Sequence, residues 1–476
     1  MTELFERSAV ELAGMLARRE VSARELLAAT LARVERVDPA VNAIVTLVPE
    51  MAEDWAAAAD ARAAAGAPLG PLHGLPIAHK DLELTAGIRT TWGSPLFAEF
   101  VPDVDCLIVQ RLRAAGAITF GKTNTPEFGA GSQTFNPVFG ATRNPYDLSR
   151  TCGGSSGGAA VALATGMVAI ADGSDMGGSL RNPASFCNVV GLRPSAGRVP
   201  NWPTSTPWSP LSTQGVLARS VDDLALQLRA VAGPDPRVPI SLPEPGSIFA
   251  GLDALGPPEG LAGAGLRVAW TPDLGLPVDA AVRDALAGVP DRLAALGCRV
   301  EAAMPDLGDA GEIFQVLRAW HFEIDRGALY DRAGDRLKDT VRWNVELARR
   351  LRLVDHARAV TAHAALVERV RRFFERFDVL ALPTVQVPPF DVGLDWPREV
   401  DGTPMPTYVD WMRSCSDISL TGCPAISMPA SFTPDGLPVG VQFVGRPGGD
   451  VDLLRFARVW ELASAPLVRR ATVVAS

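Results

Sequence analysis

The chain has 476 residues, 47% of them hydrophobic, so it can bury a large core. Its formal net charge of −9, without a basic block, argues against a nucleic acid as partner. No apolar run reaches the roughly 18 to 20 residues that a membrane span needs, and the first residues do not read as a signal peptide. We therefore expect a cytoplasmic protein with no membrane partner.

The metal-ligating residue types are sparse. The 6 cysteines are scattered without a C-x-x-C pair, which favours neither a disulfide framework nor a thiolate zinc site. Only 5 histidines are present, so a histidine-rich metal site is hard to assemble. We expect neither a metal nor a cofactor.

The N-terminal region, residues 1–65, is predicted to be mainly helical. Ser8-x-x-Glu11 and Ser22-x-x-Glu25 are capping boxes, each followed by apolar residues at helical spacing. A short strand at 43–47 and a third helix at 49–65 follow.

The next apolar run, residues 75–78, predicts a buried strand that ends at Lys80. The chain otherwise uses arginine for nearly all of its positive charge, and its only lysines are Lys80, Lys122 and Lys338. A lysine at position 80 therefore favours a group that can lose its proton.

A literal phosphate-loop pattern occurs at Gly116-x-x-x-x-Gly121-Lys122-Thr123. We reject it, because a phosphate loop follows a strand and opens a helix. Here a helix at 104–115 comes first, residues 117–120 are themselves strand-like, and Pro126 interrupts the segment after the motif. Lys122 is interpreted as structural.

Two glycine-rich loops, at 153–158 and 177–179, bracket a small-residue helix at 156–165 and a strand at 168–171. Glycines let the backbone turn its N–H groups towards a ligand atom. A serine hydroxyl beside such groups is the combination that acyl transfer needs. The alternative, a flexible Gly/Ser linker, is disfavoured because a strand and Arg181 follow at once.

The remaining elements alternate between strand and helix, which predicts an α/β fold. We expect one domain, residues 1–476, with a central mixed β-sheet covered by helices on both faces and a catalytic core at 70–200. The predicted order is an irregular loop at 200–213, a helix at 219–231, a surface excursion at 233–265, a strand at 266–270, a helix at 278–296, a strand at 299–303, helices at 311–330 and 354–377, strands at 378–382, 425–428 and 439–444, and a helix at 451–462.

Four separated segments together resemble the amidase signature family. They are the Gly-Gly-Ser-Ser-Gly-Gly run at 153–158 with the Gly-Ser-Asp-Met-Gly-Gly-Ser-Leu-Arg run at 173–181, the Gly-Leu-Pro-Ile-Ala-His-Lys-Asp run at 74–81, and the segments at 422–429 and 436–442. They stand in the family's order, and the resemblance extends from about residue 8 to about residue 463.

The resemblance implies a catalytic relay in which neutral Lys80 takes a proton from Ser155, and Ser155 takes one from the nucleophile Ser179. It also implies a cis peptide bond between Gly154 and Ser155. The oxyanion would be held by backbone N–H groups, those of Met176, Gly177, Gly178 and Ser179. We further expect Asp175 and Arg181 to pair.

The expected activity is cleavage of a C–N bond in a small amide through an acyl-enzyme, with esters and carbamates left open. A glutamine-hydrolysing amidotransferase subunit is the alternative within the family. Such subunits hold the amino group of glutamine with an acidic residue. In this chain the corresponding position falls near Met412, with Asp410 two residues away, so we favour a stand-alone amidase. A homodimer is left open.

Two other classes fit the residues less well. Gly153-x-Ser155-x-Gly157 matches a nucleophile elbow, with Ser155 as nucleophile, but no apolar strand precedes it. A non-catalytic binding protein on this fold would be expected to lose one of the three relay residues, and all three are present.

Overall fold

Two β-sheets carry the elements that build the site. The computed structural model describes residues 3–252, 265–464, 471 and 473. The α-helices of these residues are α1 (Ala9–Ala17), α2 (Ala23–Val41), α3 (Pro49–Ala64), α4 (Leu107–Ala114), α5 (Gly157–Ala164), α6 (Arg181–Phe186), α7 (Val221–Val231), α8 (Ala280–Leu286), α9 (Val289–Ala295), α10 (Ala310–Ala333), α11 (Asp339–Arg350), α12 (Leu353–Arg376), α13 (Arg413–Ser419) and α14 (Asp450–Ser464). The strands are β1 (Ile44–Leu47), β2 (Pro76–Lys80), β3 (Ile118–Thr123), β4 (Phe135–Asn136), β5 (Gly140–Ala141), β6 (Ile170–Asp175), β7 (Val190–Arg193), β8 (Thr213–Ala218), β9 (Arg267–Trp270), β10 (Arg299–Ala302), β11 (Val379–Pro383), β12 (Glu399–Val400), β13 (Thr403–Pro404), β14 (Ala425–Phe432) and β15 (Pro438–Val444).

The large sheet has eight strands in the order β10-β9-β11-β15-β14-β7-β8-β6. The first three strands run parallel to one another, and every later pair is antiparallel. Every residue of β8 and of β15 is buried, which requires cover on both faces of the sheet. The predicted α/β fold with a mixed sheet is confirmed.

A second sheet, of three strands in the order β1-β3-β2, holds Lys80. β2 runs parallel to β3, is buried at every position and ends at Lys80, as its apolar run predicted. It also packs against β6, the edge strand of the large sheet. The end of β2 is thereby brought to the end of β6, where the second glycine loop begins.

The N-terminal helices form as predicted. Ser8 and Ser22 each accept a hydrogen bond from the backbone N–H three residues on, and Glu11 and Glu25 complete the two capping boxes. Within the described residues, no helix has the length and apolar character needed to cross a bilayer.

Other predicted elements are corrected. The single helix at 278–296 is two helices, because Pro290 lacks an N–H donor and lies in the first turn of α9. Strands β7 and β8 were not predicted, and each contains a glycine, a residue depleted in strands. Helix α11 was not predicted either.

The surface excursion at 233–265 is only partly described. In its described part Phe249 and Leu252 are 1% and 3% exposed and belong to the main core. Most residues of 233–252 are exposed or half-buried, but the stretch is not wholly outside the packed structure, since large apolar side chains such as these two gain free energy by leaving water. Residues 253–264 lie outside the described residues.

Candidate active site

Lys80 is the centre of a cluster of hydroxyl groups. Its Nζ donates hydrogen bonds to Ser155 Oγ and Ser156 Oγ, each at 2.8 Å, and to Ser174 Oγ at 3.2 Å. The Lys80 side chain is fully buried. The predicted pair Lys80 and Ser155 is thus in direct contact. Ser156, expected from the Gly-Gly-Ser-Ser-Gly-Gly run to be a supporting residue, also contacts Lys80, and the sequence reasoning missed Ser174.

The electrostatics of Lys80 shift its protonation equilibrium towards the neutral amine, which makes up about half of the population at pH 8. Burial lowers the pKa of Lys80 to about 8, against the charges of Glu83, Asp175 and Asp172, which raise it. Within the described residues, no carboxylate lies within ion-pair distance of its Nζ. An amine with this pKa is available as a proton acceptor near neutral pH.

The first glycine loop is held from outside by side chains. The peptide bond between Gly154 and Ser155 is cis, as the family resemblance implied. Ser132 Oγ donates to Gly154 O and Thr134 Oγ1 donates to Gly153 O, both at 2.8 Å. These contacts fix the backbone that carries Ser155.

Asn182 and Ser156 link the two glycine loops. Asn182 Nδ2 donates to Ser132 Oγ at 2.6 Å, which joins α6 to the support of the first loop. Ser156 N donates to Ser179 O at 3.1 Å, which joins the loops directly. The two glycine loops are therefore held together by hydrogen bonds.

Ser179 is half-buried, on the more open side of this cluster. Its hydroxyl makes no hydrogen bond to the part of the chain that the structure describes, so the Ser155–Ser179 step of the predicted relay is not a formed hydrogen bond here. An unpaired hydroxyl beside a glycine loop can rotate towards either Ser155 or a bound carbonyl carbon.

The predicted oxyanion donors divide into two groups. The N–H groups of Met176, Gly177 and Ser179 donate to no acceptor within the described ranges. Gly178 N instead donates to Asp175 Oδ1 at 2.8 Å. The prediction that Gly178 is an oxyanion donor is therefore corrected, because its N–H group is already hydrogen-bonded to the Asp175 carboxylate.

Asp175 is the anchor of the second loop. Arg181 donates to both of its carboxylate oxygens, at 3.0 and 2.8 Å, and both side chains are fully buried. Arg193 also donates to the Asp175 carbonyl oxygen. Burial raises the pKa of Asp175, but the charges of Arg181 and Arg193 outweigh it and hold that pKa below its usual range. The predicted pair of Asp175 and Arg181 is confirmed.

Leu180 seats the second loop on the large sheet. Three glycines of neighbouring strands leave room for it. A Cβ on Gly173 or Gly215 would lie 2.8 or 2.6 Å from a methyl carbon of Leu180, and a Cβ on Gly191 would lie 2.5 Å from the Leu180 carbonyl oxygen. Any larger residue at these positions would displace the residue that follows Ser179.

Asp172 is a positioning residue that the sequence reasoning missed. Its Oδ1 accepts a hydrogen bond from Lys80 N at 2.8 Å, and its Oδ2 contacts His79 Nδ1. His79 Nε2 in turn lies 3.0 Å from Thr119 Oγ1. Asp172 thus fixes the end of β2, and with it the backbone of Lys80, against β6.

The wall beside the second loop comes from α10 and the segment before α13. A Cβ on Gly177 would lie 2.8 Å from Phe314 Cζ and 3.5 Å from Met412 Cε. Arg318 Nη1 lies 3.0 Å from Met176 Sδ. Asp410 is engaged locally, since its Oδ2 accepts from both Thr407 N and Thr407 Oγ1 at 2.7 Å. The contacts of Gly177 with this wall are therefore apolar, and the charged group of the wall, Arg318, contacts Met176 instead.

The rejected motifs do not form sites. Lys122 lies within β3 and donates to Glu83 O, Thr85 Oγ1 and Thr90 Oγ1, which is a structural role. No strand leads into Ser155, because residues 142–156 hold only isolated bridges. Among the described residues, no group of three or more His, Cys, Asp or Glu side chains could hold a metal ion.

The comparison with known proteins agrees with this geometry. The family model described as Amidase matches residues 25–454. This chain belongs to the amidase signature family. It is 37% identical to the A subunit of the glutamyl-tRNA(Gln) amidotransferase of Moorella thermoacetica, over 96% of this chain and 97% of the relative.

Solved structures of the family resemble this amidase over nearly its whole length. A bacterial aryl acylamidase of the amidase signature family superposes with a TM-score of 0.88 and 27% identity, over 96% of each chain. A 6-aminohexanoate cyclic dimer hydrolase in complex with substrate gives a TM-score of 0.86 and 30% identity, over 99% of this chain and 100% of the other. The protein is an amidase-type hydrolase of C–N bonds.

In this amidase, the structure unites most of the residues predicted from sequence. Lys80 contacts Ser155, and Ser179 follows the loop that offers free N–H groups. The structure adds the contact of Ser156 with Lys80, which the motif did not specify, and Asp172, which lies among small or apolar residues and gave no pattern of its own. Their partners are 76 and 92 residues away in the chain.

Proposed function

We propose that this amidase is a stand-alone enzyme that hydrolyses small amides, with Ser179 as nucleophile, Ser155 as proton shuttle and Lys80 as base. The observation that carries the proposal is the buried Lys80 Nζ, 2.8 Å from Ser155 Oγ. A lysine that is desolvated and surrounded by hydroxyls can act as a neutral base.

In the proposed reaction, Ser179 Oγ attacks the carbonyl carbon while its proton moves to Ser155 Oγ and the Ser155 proton moves to Lys80 Nζ. The N–H groups of Met176, Gly177 and Ser179 would stabilise the oxyanion. The Lys80 ammonium then returns its proton through Ser155 to the leaving nitrogen. Water, deprotonated by the same relay, would hydrolyse the acyl-enzyme and release Ser179.

Amides are the proposed substrates, and esters and carbamates share the same tetrahedral chemistry. A panel of aliphatic amides, aryl amides, esters and carbamates, with purified protein, separates these classes. We further propose a cytoplasmic location. We also propose that the protein has no nucleic-acid partner, which the net charge of −9 supports.

The second candidate is a glutamine-hydrolysing amidotransferase subunit, which the 37% identity to such a protein favours. The apolar Met412 near Gly177 and the local engagement of Asp410 argue against a carboxylate that would hold the amino group of glutamine. Release of ammonia from glutamine at a rate comparable to that from the best small amide would support the second candidate instead.

The test of the nucleophile is Ser179→Ala together with labelling by a fluorophosphonate. We expect turnover to vanish in folded Ser179→Ala and the label to appear on the peptide that contains Ser179. Ser247→Ala, at an exposed serine, is the matched control and should keep full activity. Labelling of Ser155 would favour the elbow mechanism, and most activity retained in Ser179→Ala would refute the proposal.

A further inference from the structure

A cavity of about 440 Å³ is lined by none of the residues of the proposed relay. We call it the aromatic cavity, after its lining by Phe135, Trp343, Trp396 and Tyr408 together with Lys338. The rings of Trp343 and Trp396 both pack edge-to-face with the Tyr408 ring, with centroids 5.7 and 6.5 Å away. Such walls favour a planar ring as the ligand.

The aromatic cavity is connected to both catalytic loops through intervening residues. On one side Lys338 Nζ and Thr340 Oγ1 donate to Ala130 O, at 3.3 and 3.0 Å. The preceding residue, Gly129, lies so close to Ser155 that a Cβ on it would be 3.4 Å from Ser155 Oγ. One short backbone segment therefore separates the cavity from the relay.

On the other side, Tyr408 Oη accepts from Arg318 Nε and Nη2 at 2.9 and 2.8 Å. Arg318 also reaches Met176 Sδ at 3.0 Å, at the start of the second loop. A substrate whose carbonyl lies at Ser179 could extend its remaining part towards this cavity.

Lys338 is the charged group set into the cavity wall. The other charged lining residues, Asp339, Asp395 and Arg398, are exposed. Asp339 is paired with Arg342 at 2.6 Å, and the Arg398 guanidinium stacks on the Trp396 ring, 3.5 Å from its centre, and leaves the other face of that ring for a ligand. Lys338 is half-buried, with its Nζ 3.9 Å from the centre of the Phe135 ring. It forms no ion pair within the described residues, and its one hydrogen bond leaves two N–H groups for a ligand.

We propose that the aromatic cavity binds a ring that carries a carboxylate, so that this enzyme prefers aryl amides with an acidic substituent. The ring would lie against Trp343 and Trp396, and the carboxylate would accept hydrogen bonds from Lys338, which are charge-assisted and strong. This inference rests on the proposed function, because it assigns a substrate class to the same site.

Two pairs of substrates test the preference, because the ring can belong to either side of the scissile bond. The pairs are 4-acetamidobenzoate with acetanilide, and 4-carbamoylbenzoate with benzamide. Assays are made at pH 7, below the pKa of about 8 to which burial lowers Lys338, so that its ammonium is charged. We expect kcat/KM to be about tenfold or more higher for the carboxylate in at least one pair.

Lys338→Met should remove this preference. It keeps the backbone N–H that donates to Glu127 Oε2 and changes only the ammonium. We expect kcat/KM for the carboxylated substrate to fall about tenfold or more, mainly through KM, and that for its neutral partner to stay within about twofold. Lys338→Arg should keep most of the preference. Arg350→Met, at the far end of α11 from Lys338 and outside the cavity, should leave the ratio unchanged.

Calorimetric titration of Ser179→Ala with 4-acetamidobenzoate and 4-carbamoylbenzoate separates this inference from the proposed function. If either compound binds, and Lys338→Met weakens that binding about tenfold, the result supports the cavity proposal even where the nucleophile assignment fails. The opposite outcome is that hydrolysis depends on Ser179 but Lys338→Met leaves the ratio of kcat/KM for carboxylated and neutral substrates unchanged. That result overturns the cavity proposal and keeps the proposed function.

Discussion

Replacement of Lys80 provides the sharpest test of the relay, since burial lowers the pKa of Lys80 to about 8. At pH 8 about half of such amines are neutral, whereas an ordinary lysine with a pKa near 10.4 would be about 0.4% neutral. Burial thus supplies roughly a hundredfold more base at that pH. If the neutral form is required, kcat/KM must rise by about tenfold between pH 7 and pH 9.

Two substitutions of Lys80 distinguish a residue that accepts a proton from one that only supplies a positive charge. Lys80→Arg keeps the positive charge but cannot be deprotonated, and Lys80→Met removes both functions. We expect each to lower kcat/KM by about 100-fold or more, the usual contribution of a general base.

The assay is kcat/KM on a neutral amide from pH 6 to pH 10, with folding checked by circular dichroism. A wild-type profile that rises with a midpoint near 6.5 would indicate a histidine base instead. Activity of Lys80→Arg within about tenfold of wild type would refute the relay, because an arginine cannot accept the proton.

Two further predictions concern stability. Arg181→Met leaves the buried Asp175 carboxylate with only Arg193 as a charged partner. We expect the free energy of unfolding, measured by denaturant titration, to fall by about 3–5 kcal/mol, with Arg350→Met as control. A loss below about 1 kcal/mol would contradict this account. Burial raises the pKa of Glu461 to about 8 from 4.5, so its contribution to stability is present below pH 4.5 and is lost as the pH rises to about 8. Glu461→Gln should therefore raise Tm relative to wild type at pH 9 and change it little at pH 5, and an equal shift at both values would contradict the assignment.

The sequence was sufficient for features that depend on local pattern. The capping boxes at Ser8 and Ser22 use residues three positions apart, and the strand that ends at Lys80 is a short apolar run between turn residues. The glycine loops could be recognised because their composition is itself unusual. The cis bond before Ser155 followed only from the family resemblance, since no local pattern indicates it.

Features that depend on distant pairs were not predictable from one sequence. Asp172 supports Lys80 from 92 residues away, and Gly178 was assigned as an oxyanion donor because nothing local showed that Asp175 accepts its N–H. The aromatic cavity joins Phe135 to Trp343 and Tyr408, which become neighbours only after α10 and α11 pack beside the site. Such contacts follow from the register of strands and helices, which spacing alone does not determine.

A neutral lysine in a site with three nearby acids requires that each acid be occupied elsewhere. Arg181 and Arg193 hold Asp175, His79 and the Lys80 backbone N–H hold Asp172, and Glu83 Oε2 accepts from Cys106 Sγ and Gln214 Nε2 at 3.2 Å. The Lys80 Nζ is left with hydroxyl oxygens alone, which accept its hydrogen bonds without supplying a full negative charge. Because an opposite charge in contact would raise the pKa of Lys80 and keep it protonated, this division of partners is what allows the buried amine to act as a base.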